Sequence, residues 1–256
     1  RPPRFTLFPY TTLFRSTIAP TNRDPDKLTV VVMTGVTALV RATGAKMEQH
    51  GMSYPAEDIL PWLLEADITH ISNEVSFAED CPPADPYQKT LQFCSRPEYI
   101  DLLDTIDADV IELSGNHLLD WSVDAFLWTL DLYKERGWGT YAGGRNEDEA
   151  RQPLKITHNG NQLAFIGCNI VGPPYDWATD SHPGSANCLD YDWILAAVRN
   201  LAAEGYLPIV TLQHNEFYSL TYTPAQKQDF PPFSMAGAVI VSGSQAHYPN
   251  PFDFVD

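Results

Sequence analysis

Six short apolar runs punctuate the sequence, and stretches of helical spacing lie between them. Leu28 to Met33 is β-branched and suits a buried strand. Asp67 to Ser72, Ala108 to Leu113, Gln162 to Gly167, Leu207 to Leu212 and Ala238 to Val241 read the same way. Asp58 to Ala66 places Ile59, Leu60, Leu63 and Leu64 at helical spacing. Ser95-Arg96-Pro97-Glu98 has the pattern of a capping box opening a helix through Leu103. Val123 to Arg136 and Tyr191 to Glu204 read as helices stopped by Gly137 and Gly205. Strands alternating with helices predict an α/β domain with a mostly parallel sheet covered on both faces.

Composition narrows the class of partner. The 256 residues are 44% apolar, enough for a sizeable core. A formal charge of −17 repels nucleic acid and anionic membrane surfaces, so neither is an expected partner. An anionic substrate would then need a metal ion or a local basic pocket. Thr6 to Ser16 reads as the translation of a common short-read sequencing adapter, so residues 1–16 are expected to be non-native. Residues 17–27 read as a polar lead-in and 28–256 as the domain. Asn250 to Asp256 reads as the start of a strand, and the domain is expected to lack its C-terminal end.

The chemistry gathers where the strands end. Thr34-Gly35 follows the first, Asn73-Glu74 the second, and Gly115-Asn116-His117 with Asp120 the third. Cys168-Asn169 follows the fourth, Gln213-His214-Asn215-Glu216 the fifth, and Ser242 through His247 the sixth. Parallel strands put those ends along one edge, where open α/β sheets bind ligands. Each pair alone reads better as a turn or helix cap; the strand ends taken together read as a site.

Taken in order, these segments resemble the capsule-synthesis protein family (the CapA, or poly-γ-glutamate capsule, family), itself similar to calcineurin-like metallophosphatases. The motifs are Val30 to Gly35, Ser72-Asn73-Glu74, Gly115-Asn116-His117 with Asp120, Ala142-Gly143-Gly144, Phe165 to Cys168, Glu216-Phe217-Tyr218 and Gly237 to His247. The resemblance implies a metallophosphatase-like α/β sandwich. It implies a role in capsule or exopolymer synthesis at the cell envelope, with poly-γ-glutamate or polysaccharide as polymer. It also implies a metal-dependent, phosphoesterase-like hydrolase cleft acting on an anionic polymer or a phosphorylated small molecule, alongside capsule-synthesis membrane proteins. Carried over, the pattern makes Glu74, Asn116 and His247 the ligands of one divalent ion (manganese, zinc or iron). His117 becomes an acid or anion clamp oriented by Asp120, with Asn73, Glu216, Tyr218 and Gln245 contacting substrate.

Two positions depart from that pattern. The family commonly has Asp after the first glycine, and here it is Val36. The last motif often carries two histidines two apart, and here the first is Gln245, a hydrogen-bonding group but a poor ligand. The second reading is therefore a metal-free, non-catalytic module that binds an anionic polymer or peptide.

His70 reads as a hydrogen-bonded core histidine, and His50, His158 and His182 as surface residues. Trp62, Trp128 and Trp193 read as helix packing. Gly143-Gly144 reads as a tight turn, and the loop carrying Tyr175 and Trp177 as an overhang of the cleft, its rings either stacking on a ligand or fixing the loop. Arg41 reads as a surface ion pair or a contact for an anion. Cys81 and Cys94 flank one loop, and Cys168 and Cys188 another. Two disulfides, which would suit the exported protein the resemblance implies, and four buried thiols stand as equal alternatives.

Overall fold

The computed structural model describes residues 24–255, so the adapter-like segment at 1–16 and the lead-in through residue 23 lie outside the described residues. Strands β1 (Val31–Thr37), β2 (Ile68–Asn73), β3 (Val110–Glu112) and β4 (Gly139–Tyr141) form one parallel sheet in that order. The chain continues through β5 (Gly143–Gly144), β6 (Leu154–His158), β7 (Asn161–Asn169), β8 (Gly184–Ser185), β9 (Leu207–Gln213) and β10 (Ile240–Gly243). A second sheet has the order β10-β9-β7-β6, parallel except for the β6–β7 hairpin. The two sheets face each other, and helices cover their outer sides. The fold is thus the expected α/β sandwich, with the parallel strands divided between two sheets rather than gathered in one.

The helices are α1 (Arg41–His50), α2 (Leu60–Glu65), α3 (Ile100–Thr105), α4 (Val123–Glu135), α5 (Glu147–Ala150), α6 (Asp192–Ala203) and α7 (Pro224–Met235). Ile71, Ile111 and Leu113 meet Leu63, Leu103 and Phe126 beneath the first sheet. Ile166, Val210 and Leu212 meet Ile194, Val198 and Phe233 beneath the second. Each strand alternates its side chains, so its other face fills the space between the sheets.

That inner layer changes character along the strands. Ile68, Val110, Tyr141, Leu163, Phe165 and Ile209 make it apolar at one end. One pleat further, His70, Ser72, Glu112 and Thr211 are buried polar groups. Tyr141 Oη joins them, 2.7 Å from His70 Nε2 and 3.0 Å from Thr211 Oγ1. His70 is therefore the hydrogen-bonded core histidine read from the sequence. Burial lowers its pKa, against a smaller opposing pull from Glu112. One pleat beyond lie the strand ends.

Several local readings change. The first strand begins at Val31, because Asp67 Oδ2 accepts the Val30 N–H at 2.8 Å and pairing starts at Val31–Ile68. The expected capping box does not form: Ser95 Oγ donates to Leu39 O, and Arg96 pairs with Glu98. A true capping box opens α7 at Thr223 and Gln226, a helix that its internal Pro231 and Pro232 conceal from sequence reading. Trp62 is 65% exposed, since the short α2 buries only Leu63. Gly143-Gly144 is a two-residue strand paired with Gly184–Ser185, where a side chain at 143 would strike Leu113. Disulfides join Cys81 to Cys94 and Cys168 to Cys188, which decides between the two cysteine readings. Among the described residues no helix is long and apolar enough to cross a membrane.

Candidate functional site

The ends of β2, β3, β9 and β10 meet at one rim of the sandwich. β2 runs into Glu74, whose N–H donates to Thr37 O and whose side chain points between the sheets, on the face of His70 and Ser72. Its Oε1 accepts the Nε2 of Gln245 and, at 3.4 Å, the Nε2 of Gln213. Asn116 Oδ1 accepts the same two amides, at 2.8 Å from Gln213 and 3.4 Å from Gln245. Ser244 Oγ donates to Gln213 Oε1 and completes the knot. Burial raises the Glu74 pKa, outweighing the charge of His117 and the two amide donors.

Gly115 lets this knot close. A Cβ there would lie 2.8 Å from the Glu74 Cα. Asn169, at the end of β7, donates to Gly115 O at 3.2 Å and braces the same turn. Beside the knot, His117 Nδ1 and Asp120 Oδ2 are 2.7 Å apart. Burial opposes protonation of His117, but the Asp120 hydrogen bond and charge outweigh it and hold its pKa above the ordinary histidine value. Asp120 Oδ2 also accepts the Phe93 N–H at 3.0 Å, and the Phe93 ring meets the imidazole edge-on at 4.9 Å.

A turn at Pro174–Asp176 clasps this dyad. Tyr175, 56% exposed, places its Oη 3.5 Å from Asp120 Oδ1, as an overhanging loop should. Asp176 is fully buried; its Oδ1 accepts the Leu119 N–H at 2.8 Å and its Oδ2 has no partner. Arg41 stands at the first position of α1, its guanidinium 6.0 Å from the Phe93 ring centre. Among the described residues it has no carboxylate partner, so the ion-pair reading of Arg41 gives way to an exposed cation at the rim.

The structure thus brings together Glu74, Asn116, Gln245, His117 and Asp120. Glu216, Tyr218 and His247 form a separate, exposed group: His247 Nε2 is 2.8 Å from Glu216 Oε1, and Tyr218 stacks on His247 at 4.5 Å. Asn73 turns away, since odd positions of β2 face the helices. It donates to Tyr133 Oη at 2.7 Å and to Val75 O at 2.8 Å, under the first sheet. His214 packs against α7, 3.7 Å from Asp229. Sequence reading places Gln213 among the strand-end residues without a role of its own, and passes over Asp176. Gln213 carried a signal, because it lies on the β9 face of Thr211, two residues back. Asp176 carried none.

The divalent ion expected on Glu74, Asn116 and His247 does not fit these residues as a set. Oε1 of Glu74 and Oδ1 of Asn116 accept amide hydrogens, and His247 engages Glu216. Val36, an aliphatic residue that cannot bind a metal ion, lines the wall of a cavity of about 20 Å³ with Ser72, Glu112 and Ser244. Among the described residues no group of three or more His, Cys, Asp or Glu side chains is placed to hold a metal ion. Carboxylate and imidazole are what such ions select, and amides replace them here.

The model of the bacterial capsule synthesis protein family, PGA_cap, matches residues 30–256. The chain is also 22% identical over 237 residues to the capsule biosynthesis protein CapA of Bacillus anthracis. That match covers 91% of this chain and 57% of the relative, so the chain spans little more than half the relative's length. A buried polar rim at the ends of β2, β3, β9 and β10, and a family match running through all four, make one conclusion: the chain belongs to the bacterial capsule synthesis protein family.

Proposed function

We propose that this domain serves capsule synthesis at the cell envelope by binding an anionic polymer or peptide, without a divalent ion. The observation that carries the reading is the pair of amides, Gln213 and Gln245, that donate to Glu74 Oε1 and Asn116 Oδ1. A cleft whose side chains are tied to one another by hydrogen bonds is preorganised to hold a shape. Charge for the ligand comes from His117, whose protonated form Asp120 favours, and from Arg41 on the Phe93 ring. These are local cations in an acidic chain, and an anionic chain would lie along them. Poly-γ-glutamate and acidic polysaccharide share that chemistry, and membrane proteins of capsule synthesis are the partners that would deliver it.

Binding of labelled poly-γ-glutamate is expected to be unchanged by chelator, and manganese or zinc to leave the melting temperature unmoved. An ion that bound only the folded state would raise it, by about 2.7 kcal/mol of stability at a hundredfold excess over its dissociation constant. Stoichiometric metal in the purified protein, with chelator-sensitive phosphodiester hydrolysis, would overturn this reading and restore the metallophosphoesterase one.

The pH profile is set by His117. Its raised pKa keeps the imidazolium above the usual histidine midpoint near 6.5, so binding is strong at pH 6 and weakens as pH rises through the folded value. His117→Gln is expected to lower affinity at pH 6 about tenfold, the worth of one hydrogen bond to a charged group, and to flatten the profile. Isothermal titration at pH 6 and pH 8.5 checks both. A slope that survives the substitution assigns the effect elsewhere.

A further inference from the structure

We propose that the Cys81–Cys94 disulfide is an exchange site for a dithiol reductant, and that opening it weakens ligand binding at the neighbouring cleft; the second part rests on the binding reading above. The two disulfides differ in access. Cys168 and Cys188 are 0% and 3% exposed, whereas Cys81 is half-buried at the start of a largely exposed loop. A reductant's thiolate reaches Cys81 Sγ first. The S–S bond breaks, Cys94 leaves as a thiolate and takes a proton, and Cys81 is held as a mixed disulfide. The reductant's second thiol then attacks its own bound sulfur, and Cys81 is released as a thiol. Two electrons pass to the protein, and the dithiol becomes a disulfide.

Both arms of this crosslink hold the turn that carries Asp120. On one arm Asp80, next to Cys81, accepts the Trp121 Nε1–H at 2.7 Å. On the other Phe93, next to Cys94, donates its N–H to Asp120 Oδ2, packs on His117 and carries the Arg41 guanidinium. Between the arms the loop touches the body chiefly at Ala84, which packs against the first core and donates its N–H to Glu48 Oε1 at 3.2 Å, while Gln88 and Tyr87 bond within the loop. Phe93 also packs with Val40 and Val75, and the crosslink adds the covalent limit on how far Phe93 and Asp80 can separate. Opening it restores the freedom of the intervening residues. The base of the loop stays closed, because Ala78 N–H donates to Ser95 O and Ser95 N–H to Ser76 O. Reduction therefore loosens the wall of the cleft without unfolding the domain.

The experiment is graded reduction of the intact protein with dithiothreitol, with alkylation mapped by mass spectrometry. Hydrogen exchange at the Phe93 amide and binding of fluorescein-labelled poly-γ-glutamate are followed in parallel. Cys81 and Cys94 are expected to alkylate before Cys168 and Cys188. The Phe93 amide should then exchange faster, and affinity fall about tenfold, as loss of one hydrogen bond to a charged group does. A Cys81→Ser, Cys94→Ser protein should bind like the reduced form and ignore dithiothreitol. Earlier opening of Cys168–Cys188 overturns the proposal. So does unchanged Phe93 protection and affinity once Cys81 and Cys94 are alkylated. An oxidised protein that does not bind the polymer sinks the cleft reading instead, and alkylation order with Phe93 exchange then judges the thiol site by itself.

Discussion

At pH 8 the Asp176→Asn variant melts above the unsubstituted protein, and towards pH 4 the advantage disappears. Asp176 is fully buried with one oxygen unpartnered. Burial pushes its pKa up to about 7; Asp120 and Glu74 add to the rise, while the Leu119 N–H and His117 oppose it. In the unfolded chain the carboxyl titrates near 3.8. Between those values the folded state keeps a proton that the unfolded chain has lost, so stability falls as pH rises through the window. Each unit of separation is worth about 1.4 kcal/mol, and relaxation around the charge trims the total to about 2–4 kcal/mol. Asn keeps an acceptor for the Leu119 N–H and cannot ionise. Urea unfolding from pH 4 to 8 measures the difference. His117 also loses stability as pH rises through its raised value in both proteins, and the substitution alters that loss only through the Asp176 charge, which is one of the smaller causes of the His117 shift. Parallel profiles for the two proteins would show that Asp176 is not the source.

Gly115→Ala is expected to cost about 1–3 kcal/mol, as overpacking of a closed site does, and to abolish most polymer binding. The new Cβ would meet the Glu74 Cα at 2.8 Å and its carbonyl oxygen at 3.1 Å. Backbone cannot swing aside as the tip of a flexible side chain can. Glu74 must shift, and its carboxylate then leaves the Gln213 and Gln245 amides. Gly35→Ala is the control: a Cβ at 35 has no atom within 4 Å, so its stability should stay within about 0.5 kcal/mol. Denaturant midpoints and the polymer binding curve, taken together on both variants, decide the matter. Equal behaviour of the two would mean that the approach of Gly115 to Glu74 is not what closes the knot.

Much of this protein was legible along the chain because side-chain periodicity is local. The β-branched runs became strands, and α4 and α6 lie where their apolar spacing put them, with Ser122 capping α4 at the Ala125 N–H. The strand-end residues Glu74, Asn116, His117, Asp120 and Gln245 do gather at one rim, because parallel strands share a direction. Helix α1 stayed hidden, since it buries only Gly44, Ala45 and Met47 and shows no apolar stripe. Strand β6 stayed hidden because it is an edge strand with an alternately exposed face.

The residues alone determined which groups stand at the ends of strands, for a run of β-branched residues fixes where a strand stops and so which side chains come directly after it. Only the folded structure decided which way those groups face and whom they meet. Asn73 and Glu74 are neighbours in the chain, yet one pleat sends Asn73 to Tyr133 under the helices and Glu74 to Gln245 between the sheets. His247 and Glu216 find each other through the pairing of Phe217 with Ala246, a contact that no local pattern encodes. The division into two sheets has the same cause. β7 pairs with β9 rather than β4, because two apolar faces bury more surface against each other than one wide sheet could cover.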